Sequence, residues 1–203
     1  MWTGNRGIQF VSIMKRVTYL VMLWAWCAGA QVKIEKVEPP EAGFFGKRAQ
    51  VQGVVVLAHA DVSDEAIQEC AHRLEQQLGS APRIAENLSR VGAQMQIIGK
   101  DQAVTDLPMY RHTKGKPFEG KLTMDERGRG YGGLFCSCCE ENLLRLPSDR
   151  WKDHRDICMH EFAHTILSFG LAGKVAEQVR QQWKKSTESG KWRTMYAATN
   201  PQE

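Results

Sequence analysis

The chain has 203 residues, 42% hydrophobic and 25% charged, an ordinary balance for a globular protein and enough length to bury a core. Its formal charge of +4 is concentrated at one end, because Arg6, Lys15 and Arg16 lie in thirty residues that hold no acid. Removing them leaves 24 basic against 23 acidic side chains, a net of +1, with no basic block or aromatic-interleaved patch, so nucleic acid is excluded as an expected partner.

Residues 1–30 have the pattern of an export signal. From Met14, an alternative start, "MKRVTYLVMLWAWCAGA" gives two positive charges, an apolar stretch over 17–26 and small residues before Gln31. The apolar stretch is too short to span a bilayer comfortably, so a secreted or extracytoplasmic chain with no transmembrane helix in its mature part is expected. An uncleaved anchor or a buried N-terminal helix is the other reading of this segment. Residues 31–203 are then one domain.

Beyond Cys27 the cysteines are Cys70, Cys136, Cys138, Cys139 and Cys158. Five is odd, so at least one is free or pairs outside the chain. In an oxidising compartment a disulfide from the "CSCC" cluster to Cys158 is expected. It is preferred over a zinc knuckle, because C-x-C-C lacks the two-residue gap that wraps paired thiolates round one metal. Asn87-Leu88-Ser89 is a glycosylation sequon.

In chain order, "AQVQGVVVLAHA" (residues 49–60) predicts a strand. Ser63 then caps a helix whose Ile67, Cys70, Ala71, Leu74 and Leu78 fall at helical spacing, with Gly79 as the stop. "AQMQIIG" (93–99) predicts a second strand, and strand–helix–strand order suggests a small sheet backed by a helix. Residues 100–133 read as irregular; their "DERGRGYGG" lacks the Lys-Ser/Thr of a phosphate-binding loop and reads as a surface loop beside a cleft. "EENLLRLP" (140–147) reads as one more strand or extended edge. "DHRD" (153–156) then supplies cap residues for a helix.

That helix, "ICMHEFAHTILSFGL" (157–171), has Glu161 as its one charged side chain besides histidine, which predicts a buried element ending at Gly170. His160 and His164 are four apart and share a face, with Glu161 beside them. Burying two imidazoles and a carboxylate without partners is costly, and a metal removes the conflict. Two imidazoles at this spacing can bind one Zn²⁺, while the carboxylate next to the first is placed to take a proton from water on it. The other histidines, His59, His72, His112 and His154, are scattered and read as structural or exposed.

A catalytic zinc wants a third protein ligand. Downstream, Glu177 lies in an amphipathic segment and Glu188 in the turn-like "STESGK", both expected in solvent. Glu203 follows an aromatic and small-residue run, "MYAATN", and "NPQE" has the Asn, Pro and Glu of a helix start. His160-Glu161-Phe162-Ala163-His164 followed by "YAATNPQE" resembles zinc metallopeptidases of the anthrax lethal factor-like group and the Mlc titration factor peptidases. There a Tyr precedes a motif N-x-x-E-[FY]-[FW]-A-E. The aromatic-Ala-Glu half is missing, so a domain incomplete at its C-terminus is expected. The resemblance implies a zincin-like α+β fold, a small mixed sheet packed on the H-E-x-x-H helix. It also implies His160, His164 and Glu203 as zinc ligands, Glu161 as general base and Tyr196 as oxyanion stabiliser. The expected activity is hydrolysis of a protein or peptide substrate; the alternative is a secreted binding or regulatory domain that retains the scaffold without turnover.

Overall fold

The computed structural model describes residues 31–151 and 155–190. The export signal expected over 1–30 lies outside them, as do His154, Tyr196 and Glu203.

The described chain is a mixed α+β domain around a five-stranded sheet of order β1-β2-β3-β4-β7. Its strands are β1 (Glu35–Glu41), β2 (Phe45–Val51), β3 (Val54–His59), β4 (Gln94–Ile98) and β7 (Phe135–Cys139); β5 (Pro117–Glu119) and β6 (Leu122–Thr123) form a separate ribbon. β1, β2 and β3 pair antiparallel, whereas β4 runs parallel to both β3 and β7. Six α-helices accompany them among the described residues: α1 (Asp64–Leu78), α2 (Pro82–Arg90), α3 (Met124–Arg127), α4 (Glu140–Leu143), α5 (Ile157–Thr165) and α6 (Gly173–Glu188). None is long and apolar enough to cross a membrane.

Period-two alternation divides the strand residues between two cores. Val54, Val56 and Ala58 of β3, Met95 and Ile97 of β4, and Cys136 and Cys138 of β7 join the larger cluster. Residues of α1, α2 and α5 complete it: Ile67, Cys70, Leu74, Leu78, Leu88, Cys158 and Phe162. On the other face Leu57, Ile98 and Cys139 meet Phe45, Val104, Leu107 and Met124. The "CSCC" stretch is therefore the end strand of the sheet, with its cysteines divided between the faces.

Several expectations change. The strand expected over 49–60 is a hairpin, β2 to β3, folded at Gln52 and Gly53. Both sit in the left-handed region, at φ 51° and 87°, as a two-residue hairpin turn requires. "EENL" is the short helix α4 rather than a strand, because its side chains are consumed by contacts described below. Asn87 lies in α2, and its side-chain amide donates to the Gly170 carbonyl at 2.8 Å, so it acts as a structural link between α2 and the end of the H-E-x-x-H segment. Ser63 caps α1 as expected, its hydroxyl accepting from the Ala66 N–H at 3.3 Å.

The cysteines form no disulfide among the described residues; all five are buried thiols. Cys158 does lie beside Cys138 of the cluster, as the expected pairing required, but both also meet Cys70. The missed neighbour is on α1, sixty-eight residues before Cys138, where no local pattern connects them.

Candidate metal centre

Helix α5 carries His160, Glu161 and His164, and Asn142 of α4 fixes where that helix starts. The Asn142 Oδ1 accepts from the Ile157 N–H at 2.9 Å, and its Nδ2 donates to Asp149 Oδ2 at 2.8 Å and to the Arg155 carbonyl at 3.0 Å. Asp156 is the N-cap, its Oδ1 accepting from the Met159 N–H at 3.0 Å. Its Oδ2 accepts from Arg73 Nε of α1 at 2.7 Å, and the same guanidinium donates to the Leu143 carbonyl at 3.0 Å. The first turn of α5 is thus tied to α1 and α4 at once.

The helix is less buried than its composition predicts. Cys158, Phe162 and Thr165, spaced four and three apart, form the buried stripe, whereas His160 and Ala163 are exposed and Glu161 and His164 half-buried. A helix laid on one side of a sheet buries one stripe only, and here the metal-ligand types occupy the open side. Full burial of Phe162 alone contributes about 2–3 kcal/mol. After Thr165 the chain makes a π-turn, Ile166–Gly170, ending at the expected stop. Gly170 packs under Ile84 and Leu88 of α2.

The structure brings His160, Glu161 and His164 together. The two Nε2 atoms face one another at 3.3 Å with the rings at 89°, and a ligand atom from each of the three residues lies within 4.8 Å of the others. Two imidazole nitrogens converging on one point with a carboxylate beside them are a donor set suited to a divalent transition metal, so these residues fit a metal ion. Glu177 and Glu188 do not join them. Glu177 is exposed on α6, held by Arg180 and Gln181, and Glu188 ends the same helix near Lys184 rather than lying in a turn. His59 engages the Asp61 N–H, and His72 engages Gln76. Tyr196 and Glu203 lie outside the described residues.

The glycine-rich segment, read from sequence as a loop beside a cleft, packs directly on this helix. A Cβ on Gly132 would lie 2.6 Å from His164 Cβ and 3.2 Å from the Glu161 carbonyl. One on Gly130 would lie 2.5 Å from Ile157 Cγ2 and 2.6 Å from the Ser137 carbonyl. Between them Tyr131 bridges antiparallel to Ser137, and its hydroxyl donates to the Met124 carbonyl at 2.9 Å. The loop is pinned from the other side by Arg129, whose Nε and Nη2 donate to the two Glu141 oxygens at 2.6 and 2.9 Å. Thr165 adds a hydroxyl donated to the Gly133 carbonyl at 2.7 Å.

Tyr131 of this loop forms an aromatic cluster with Tyr110 and with Phe118 of β5, at 5.8 and 5.5 Å between ring centroids. Burial pushes both tyrosines up to about 12, and the negative charge of Glu161 adds to the effect. They are therefore neutral hydroxyls at physiological pH. Sequence reasoning missed both; the signal available for Tyr131 was a lone aromatic inside the glycine run, and Tyr110, some twenty residues earlier, had none. A cavity of about 370 Å³ lined by Phe44, Gln102, Thr105, Asp106, Arg111 and Lys114 includes none of the three clustered side chains.

Compared with known protein families, with curated proteins and with solved structures, the chain matches none.

Proposed function

We propose that the chain is an exported zinc metallopeptidase of zincin type, hydrolysing a protein or peptide substrate. The observation that carries this reading is the pair of imidazole Nε2 atoms 3.3 Å apart on the open side of α5, with the Glu161 carboxylate in the same cluster. His160 and His164 would hold the ion, and the resemblance to lethal factor-like peptidases nominates Glu203 as third ligand. Zinc bound there supplies Lewis acidity toward water and a carbonyl oxygen.

The residues of the chain supply the rest. Glu161 takes a proton from the attacking water and returns it to the departing amine, the part of a general acid–base. Tyr196, by the same resemblance, would donate a hydrogen bond to the oxyanion. The glycine loop packs against the His164 turn from one side and Asn142 and Asp156 hold the helix start, so the backbone that carries the two histidines is fixed at both places.

The test is zinc content and peptide hydrolysis for wild type, Glu161→Gln, His164→Ala and Glu203→Gln. Glu161→Gln is expected to keep zinc and lose about 10²–10⁴-fold in turnover. His164→Ala is expected to lose both, and Glu203→Gln to weaken zinc binding. Wild type that binds zinc without hydrolysing any peptide in a diverse library would favour a non-catalytic binding domain. Wild type that binds no zinc would defeat the reading altogether.

A further inference from the structure

We propose that Cys70, Cys138 and Cys158 form a second, buried metal site, a three-thiolate site for Cu(I). The three residues come from different elements that pack together in the larger core: α1, the edge strand β7 and α5. All three are completely buried. Cys70 Sγ and Cys158 Sγ are 3.9 Å apart, and all three sulfurs lie within 4.8 Å of one another. Some point therefore lies within about 2.8 Å of all three sulfurs, close to the metal–thiolate bond length of about 2.3 Å, so a small inward movement completes the bonds.

The placement follows from the fold. Alternation on β7 sends Cys138 to the helical face, Cys70 lies on the inner stripe of α1 with Ile67 and Leu74, and Cys158 lies on the buried stripe of α5 with Phe162. His160 and His164 occupy the opposite, open stripe, so the two donor sets share a helix but no side chain. Arg73, three residues after Cys70 and 8% exposed, adds to the same helix a guanidinium that is paired with Asp156 and Glu69.

The donor set selects the ion. Soft thiolates favour Cu(I) and zinc over harder divalent ions. A structural zinc takes four protein ligands, and among the described residues this cluster supplies three, all buried. Cu(I) is satisfied by three sulfurs in a plane. Binding replaces three S–H bonds by three Cu–S bonds, and three protons leave to solvent with no change of oxidation state. A disulfide would use only two of the three sulfurs. The site does not depend on the peptidase reading.

The test titrates the reduced full chain anaerobically with Cu(I) against a competing chelator and records X-ray absorption of the loaded protein. One chelator-resistant Cu(I) per chain with a shell of sulfur alone is expected. Cys70→Ala, Cys138→Ala and Cys158→Ala should each weaken binding about 100-fold or more, beyond what loss of a supporting contact costs, and Cys136→Ala should leave it unchanged. A nitrogen-containing shell, which would place the ion on the histidines, overturns the proposal. So does failure to hold Cu(I) against the chelator, or peptide mapping that finds a Cys70–Cys158 disulfide in the protein as isolated. The absorption measurement is made on wild type and decides even if the alanine variants fold poorly.

Discussion

Gly132 lies against His164 so closely that a methyl group on it would sit 2.6 Å from the histidine Cβ. The second neighbour of that methyl is the Glu161 backbone carbonyl, which cannot rotate away. Gly132→Ala must therefore displace the loop or the helix, at about 1–3 kcal/mol. Under the metallopeptidase reading zinc affinity falls with it, because the His164 ring moves relative to His160. Thermal melts and zinc competition on the variant check this, and an unchanged melting temperature with unchanged zinc affinity would refute the packing argument.

Arg129 and Glu141 are a bidentate pair, with side chains only 10% and 8% exposed. Removing one partner leaves a buried charge uncompensated, so Glu141→Gln is expected to cost about 3–5 kcal/mol. Replacing both with apolar residues of similar volume should cost much less. Denaturant unfolding of the single and double variants gives the comparison, and a single variant no worse than the double would show that the pair is not acting as a buried ion pair.

Glu140 gives a pH signature. Burial pushes its carboxyl up, but the Ser63 and Lys100 N–H groups, each donating at 3.0 Å, outweigh burial and hold it below 4.5. A carboxylate lowered in the native state stabilises fully above its unfolded value and loses that contribution as pH falls through the native one. Glu140→Gln should therefore destabilise by about 1.5–3 kcal/mol at neutral pH, and the gap to wild type should narrow below pH 4.5. Stability against pH for both proteins is the check, and a gap that widens on acidification contradicts it.

Asp156 joins a cap to an ion pair, so its substitutions separate the two. Asp156→Asn keeps an oxygen for the Met159 N–H and gives up the charge opposite Arg73. Asp156→Ala gives up both, adding about 1 kcal/mol for the cap. The expected order in chemical denaturation is wild type, Asn, then Ala. Equal losses for Asn and Ala would mean the cap contributes nothing.

What was legible in the sequence was whatever depended on near neighbours. The Ser63 cap, the inner stripe of α1, the strand at β4, the His160–His164 face and the Gly170 stop all rest on spacings of three or four residues or on a two-residue alternation. The hairpin at Gln52 and Gly53 was hidden because apolar residues run on both sides of a turn only two residues long. β7 was hidden by its cysteines, which read as chemistry before they read as a strand. Glu140, Glu141 and Asn142 looked like the polar edge of an extended segment, since their partners Ser63, Arg129 and Ile157 are far away in sequence. The openness of α5 could not be read from its composition, because the sheet that covers one side is assembled from strands upstream.

The alternation along β7 has a consequence for how the chain must assemble. β7 is parallel to β4, so no tight turn sets their alignment; Met95 opposite Cys136 and Ile97 opposite Cys138 must be found across some forty residues. A slip of one residue would turn Ser137 and Cys139 toward the helices and carry Cys136 and Cys138 to the other face. The Ser137 hydroxyl would then enter an apolar core, and Cys138 would leave Cys70 and Cys158. Correct alignment of this one strand is thus checked by both cores at once, since a misaligned chain would place a hydroxyl among the apolar side chains of one and bring Cys136 and Cys138 into the other.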